Sequence, residues 1–230
     1  MQHLFDGVRD EALRDEVAGW LVGSARFRAF AEAHRDKIRK KLRGAADAAA
    51  RRDVRAELRC ARLLVADRRI GLTFEAYGSG KGGPDFTVAF AGERAFNLEV
   101  TRPRRPAEGP GGVGGTLLAK LRQLPPSVPN GLVVAVEGGS AAAVDVDAAA
   151  RPLRARADAK DEQYFASRGF EGTRGFYEQY LRLGAVIVVS EAAVGEARAA
   201  LWTNRSARIA LPERAGRACL QCLRGDPAGP

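Results

Sequence analysis

Glu57, Asp85 and Glu99 are the acidic residues whose spacing can gather carboxylates at one place. Asp85 heads the alternating run Asp85-Phe86-Thr87-Val88-Ala89-Phe90. Successive side chains of a strand point to opposite faces, so Phe86, Val88 and Phe90 share one face, and Asp85 and Thr87 the other. In Ala95-Phe96-Asn97-Leu98-Glu99-Val100-Thr101, the same rule leaves Asn97, Glu99 and Thr101 opposite Phe96, Leu98 and Val100. If both aromatic faces point into one core layer, the polar faces coincide. A three-residue turn at 92–94 pairs Ala91 with Ala95, sets Asp85 across from Thr101 and leaves it diagonal to Glu99. Diagonal Cβ atoms lie roughly 7–8 Å apart, a span that two carboxylates can close on a shared cation.

Glu57 adds a third acid. It falls between Val54 and Leu58/Ala61, on the flank of an apolar helical stripe. A carboxylate there is costly unless it is paired or binds metal. Three hard oxygen donors suit Mg²⁺ or Mn²⁺, which keep several waters and take up phosphate oxygens. Such an ion can activate water and neutralise charge on a pentavalent phosphate.

Glu57 on a helix, Gly83-Pro84-Asp85 opening a strand and Glu99-Val100-Thr101 closing the next resemble the PD-(D/E)XK nuclease superfamily. The helical Lys120-Leu121-Arg122-Gln123-Leu124-Pro125 and an apolar strand at 132–136 follow where that fold has its next helix and strand, so the resemblance covers residues 50–140. It implies a restriction-endonuclease-like α/β fold, a mixed sheet of four to five strands flanked by helices. It also implies metal-dependent hydrolysis of nucleic acid, DNA ahead of RNA. Asp85, Glu99 and the Val100 carbonyl would hold the metal, with Glu57 in support. The family's lysine, two residues after the glutamate, is replaced by Thr101. A hydroxyl cannot orient or deprotonate water as an amine can. Lys120 can reach in from the next helix instead, with Gln123 on its face. Arg102 is adjacent, but points to the other face and cannot act as a base. The remaining alternative is an impaired site on a protein that binds nucleic acid or assembles without cutting, or a protein-interaction module whose acids are ordinary sheet residues.

The elements that position these residues follow from composition. Residues 6–33 read as an amphipathic helix interrupted near Gly23-Ser24, a basic run spans 35–43, and a periodic helix spans 47–66. Strand patterns follow at 70–77, 85–91 and 95–101, then a Gly/Pro/Arg-rich loop at 102–115, a short helix at 116–124 and a strand at 132–136. Residues 138–160 are Ala-rich without clear assignment, 172–183 read as helix, 185–189 as a buried strand and 199–202 as a short one. This divides the chain into an N-terminal helical extension (1–46) suited to dimerisation or specificity, a nuclease-like core (47–223) and a tail (224–230).

The 230 residues include 37 Lys+Arg against 28 Asp+Glu, a net +9, and residues 1–70 hold +6 of it. That surplus points to a polyanionic partner, nucleic acid first. Lys40 and Lys41 in the basic run, and Arg102, Arg104 and Arg105 leaving the strand of Glu99, are the candidate phosphate contacts, the latter three as a lid. An apolar share of 46 % excludes a disordered chain. No apolar run is long enough to span a membrane, and Met1–Asp10 has no signal-peptide core. Three cysteines make no disulfide framework and, with two histidines, no closed zinc set, so a cytoplasmic location is expected. The glycine segment 78–83 does not match a Walker A loop, and nothing supports a hydrolytic triad.

Overall fold

The computed structural model describes residues 4–8, 10–78, 83–104, 112–137, 141, 144–190 and 199–225. Three helices open the chain: α1 (Glu11–Gly23), α2 (Ala25–Ala33) and α3 (Arg35–Gly44). Ser24 makes the first break: it ends α1 in extended backbone, and its hydroxyl accepts the Phe27 N–H to cap α2. α4 (Ala48–Leu64) is capped by Asp47, whose carboxylate accepts the Ala50 N–H at 2.7 Å. Its buried stripe includes Val54, Leu58 and Ala61, with Glu57 among them.

Strands β1 (Ile70–Phe74), β2 (Phe86–Phe90) and β3 (Phe96–Thr101) form an antiparallel meander. α5 (Val113–Leu121) then crosses to β4 (Asn130–Val136), parallel to β3. Helices α6 (Val146–Asp158), α7 (Glu162–Ala166) and α8 (Gly172–Tyr180) cross to β5 (Leu183–Ser190), parallel to β4. β6 (Ala199–Thr203) returns antiparallel, and α9 (Glu213–Leu223) closes the chain. The sheet is open and mixed, with strands in sequence order. It has six strands rather than four to five, because 199–203 pairs fully along β5.

Each sheet face has its own core. Phe86, Val88, Phe90, Phe96, Leu98 and Val100 pack with α1–α4 and α9. Leu132, Val134, Val186 and Val188 pack with α5–α8 on the other face. The 1–46 segment, set apart by composition, is continuous with the first core through residues such as Leu13, Phe27, Ile38 and Leu42. The Ala-rich stretch is helical over α6, burying Val146, Ala150, Leu153 and Ala157 at helical spacing. The helix expected at 116–124 begins at Val113 and ends at Leu121. α9 escaped the sequence reading; its buried residues include Ala215, Ala218, Cys219 and Cys222. Cys60, Cys219 and Cys222 are free, buried thiols. Among the described residues, no helix is long and apolar enough to cross a membrane.

The β2–β3 hairpin turns one residue earlier than expected. A turn closes at Phe90, whose carbonyl accepts the Glu93 N–H at 3.0 Å, with Gly92 at φ +78° supplying the left-handed position. Phe86 therefore faces Leu98 and Val88 faces Phe96. Continued one step, this register sets Asp85 opposite Glu99 rather than Thr101. Between β3 and β4, Asn97 and Asn130 are both fully buried and joined by a 3.1 Å hydrogen bond. The Asn130 amide also lies within bonding distance of the Pro125, Val128 and Arg182 carbonyls. Asn97 is satisfied further by Thr87 and Tyr77. Removing the Asn130 side chain leaves several buried polar groups without partners. Asn130→Ala is expected to lower unfolding stability by about 3 kcal/mol in urea titration; a loss under about 0.5 kcal/mol, within the range of ordinary surface substitutions, would contradict that role.

Candidate functional site

The acidic residues meet at the end of the sheet where β2 begins and β3 finishes. Asp85 is bound from two directions. Its Oδ2 accepts the Val100 N–H at 2.9 Å, ending the β2–β3 ladder with a side chain. Its backbone N–H donates to Glu99 Oε2 at 3.2 Å. Asp85 and Glu99 are thus locked to each other by geometry that uses one backbone donor from each strand.

The helical layers on both faces supply the remaining groups. From one side, Lys41 on α3 donates to Glu57 Oε2 on α4 and to Asp85 Oδ1 at 2.9 Å. From the other, Lys120 on α5 donates to Glu99 Oε1 at 2.6 Å and to Gln123 Oε1 at 3.2 Å. Glu75 brings a further carboxylate, with Oε1 3.5 Å from the Lys41 ammonium. It follows β1 at φ +45°, a strained backbone for a non-glycine residue. The strain is held by its N–H on the Asp85 carbonyl at 2.7 Å and by Lys37, which binds the Phe74 and Glu75 carbonyls at 2.8 and 2.9 Å. Lys41 also lies 4.9 Å from the centre of the Phe74 ring.

The electrostatics are those of crowded acids. Burial and then the Asp85 charge push the Glu57 carboxyl up to about 8, against the pull of Lys41. Burial and then Asp85 push Glu99 up to about 7, against Lys120. Burial would lower the Lys41 pKa, but the charges of Glu57 and Asp85 outweigh it and hold the ammonium firmly protonated. Glu57, Asp85, Glu99 and Glu75 thus face two ammonium groups. The donor chemistry, clustered carboxylate oxygens, is of the hard type that Mg²⁺ or Mn²⁺ takes. Among the described residues, however, no three His, Cys, Asp or Glu side chains stand round one point as ligands do. The Lys41 ammonium holds the position between Glu57 and Asp85.

Glu57, Val100, Thr101 and Lys120 also line a cleft of about 1340 Å³ that runs between α5 and α6. Of the expected phosphate contacts, Lys40 is exposed on α3 and Arg104 is exposed on the cleft, 2.6 Å from Asp53. Two placements correct the sequence reading. Lys41 sits in the acidic pocket, because α3 turns it inward beside the buried Ile38 and Leu42. Arg102 is buried and paired with Glu137 and Asp53, so its charge is spent within the protein. Arg105, and with it most of the expected lid, lies outside the described residues. Glu75 was missed as a member of the pocket, and Lys41 was expected on a phosphate-binding surface instead of beside the acids. Lys41 was visible only as part of a basic run, and nothing in the 70–77 strand pattern signals the left-handed turn at Glu75.

Comparison with known proteins finds no matching family model, no matching curated protein and no matching solved structure.

A carboxyl whose pKa is raised on folding binds more protons in the native than in the unfolded state, so native stability falls as pH rises through the interval between the two values. For Glu57 that interval runs from 4.5 to about 8, and for Glu99 from 4.5 to about 7. In EDTA, the urea midpoint of the wild-type protein should fall between pH 5 and pH 8. Glu57→Gln should flatten that decline. Parallel pH curves for the two proteins would refute the assignment.

Proposed function

We propose that this chain is a metal-dependent phosphodiester hydrolase of the PD-(D/E)XK type, acting on DNA or RNA. The observation that carries the reading is the meeting of Glu57, Asp85 and Glu99, one from a helix and two from adjoining strands, with a lysine from the following helix on Glu99. The helix–hairpin–helix–parallel strand order through α4, β2–β3, α5 and β4 supports it. Asp85, Glu99 and the Val100 carbonyl would hold Mg²⁺ or Mn²⁺, and Glu57 a water or second ion. Bound there, the ion supplies Lewis acidity and charge neutralisation at the phosphate. The chain's own contribution is positional. Asp85 is fixed by the Val100 N–H, and Glu99 by the Asp85 N–H and Lys120. Lys120, partly open to the cleft, takes the water-orienting place that Thr101 cannot fill. Gln123 holds its ammonium from the other side.

A second reading is favoured by Lys41. An ammonium already bridging Glu57 and Asp85 suits a protein on the same fold that binds nucleic acid without cutting it. Titration calorimetry and cleavage assays separate the two. Under the first reading, Mn²⁺ binds, and Asp85→Ala and Glu99→Ala each abolish binding. Plasmid or single-stranded substrate is cut, and Lys120→Ala slows cutting by about 10²–10⁴-fold while Mn²⁺ binding persists. Nucleic-acid binding with no cutting at any Mn²⁺ concentration would select the second. Failure of the wild-type protein to bind either Mn²⁺ or nucleic acid would reject both.

A further inference from the structure

The cleft beside the acidic pocket has a second wall that the site chemistry does not use. It is built by the end of α5 and by α6–α7, and carries Arg122, Arg156, Arg168 and Tyr164. The Arg156 guanidinium carbon lies 4.4 Å from the centre of the Tyr164 ring, and that of Arg168 lies 3.7 Å from it. An aromatic face holds a guanidinium by cation–π attraction while leaving its edge N–H groups to other partners. Arg156 is steadied by Asp161 at 2.7 Å, and Arg168 by the Tyr164 carbonyl at 2.9 Å. Arg122 lies across Gly169, so close that a Cβ there would stand 2.5 Å from its Nη1. All three arginines are exposed.

Their charge differs in kind from that of the cleft's other cations. Arg102, Arg104 and Lys120 are each paired with a carboxylate in or beside the cleft. Among the described residues, Arg122 and Arg168 have no acidic partner within ion-pair distance, and the partner of Arg156 is itself on the surface. Side-chain entropy opposes holding several arginines in one place, so tethering two of them to one ring reduces what a bound anion must order.

We infer that Arg122, Arg156 and Arg168, with Tyr164 as their support, form a phosphate-binding wall that takes the backbone of a polynucleotide along the cleft toward Lys120 and Glu99. The inference rests on the nucleic-acid reading of the neighbouring site and assigns the surface that holds the strand. Each arginine would replace condensed counterions on one phosphate, so binding is salt-dependent and insensitive to base sequence. Tyr164 is a positioning residue: its ring acts through the guanidiniums.

The test is fluorescence anisotropy of a labelled single-stranded oligonucleotide in EDTA, across a series of salt concentrations. Arg122→Ala, Arg156→Ala and Arg168→Ala are each expected to reduce the slope of log K against log salt by about 0.7, the contribution of one single-strand phosphate contact. Tyr164→Phe should bind as the wild type does, and Tyr164→Ala should weaken binding at every salt concentration. Arg174→Ala, on an exposed arginine of α8 paired with Glu178, is the control and should change nothing. Unchanged slopes in all three arginine variants, with the wild type binding, would overturn this wall and leave the nucleic-acid reading standing. No wild-type binding even at low salt would overturn both. Equal competition by polyglutamate at matched charge would also overturn the wall, since it would then be a surface for any polyanion. Matching thermal melts among the variants exclude unfolding as the cause of a lost slope.

Discussion

Like charges brought together out of water repel, and this protein buries Glu57, Asp85 and Glu99 at one end of its sheet. The surrounding structure answers that repulsion. Two lysines arrive from opposite faces of the sheet, two backbone N–H groups are turned on the carboxylates, and part of the charge is relieved by raised proton affinity at Glu57 and Glu99. Breaking one partner of such a buried set costs far more than any surface pair contributes. The β2–β3 register and the placing of α3, α4 and α5 together bring these partners to the acids.

The two layers contribute unequally. α3 and α4 bring Lys41 and Glu57 from a core rich in aromatic residues, where Phe30, Phe74 and Phe86 form a continuous cluster of edge-on and tilted rings. The α5–α8 side brings Lys120 and forms the open cleft. The acids are therefore held from both sides, by Lys41 from the α3–α4 layer and by Lys120 from the layer that carries the cleft. A site built across such a boundary combines fixed groups with access, as surface binding loops on a rigid scaffold do.

Much of this was legible in residue types. Alternation in 85–90 and 95–101 assigned Phe86, Val88, Phe96 and Leu98 to one face and Asp85 and Glu99 to the other, and the helical stripe around Glu57 marked it as a buried acid. Those signals are local and periodic. The register was not legible, because a turn at Phe90–Glu93 and one at 92–94 satisfy the same alternation and differ by a full two-residue step. Lys41 was not legible either. A basic run on a helix reads as a solvated face, and only the docking of α3 on α4 and β1 distinguishes Lys41 from Lys40 beside it. Arg102 failed for the reverse reason: its partners Asp53 and Glu137 are 49 and 35 positions away, beyond any local pattern.

α4, which carries Glu57, is packed by α1, α2 and α3 from the beginning of the chain and by α9 from near its end. Cys60 on α4 and Cys219 on α9 both lie in the core they share. The complete packing of α4 joins α1–α3 to α9, segments more than 150 residues apart. Such long-range closure is slow compared with local helix formation. During synthesis, the segments bearing Lys41, Glu57, Asp85 and Glu99 emerge well before α9. Until α9 docks, one side of α4 lacks its packing partner, and Glu57 would be positioned only from the side of α1–α3.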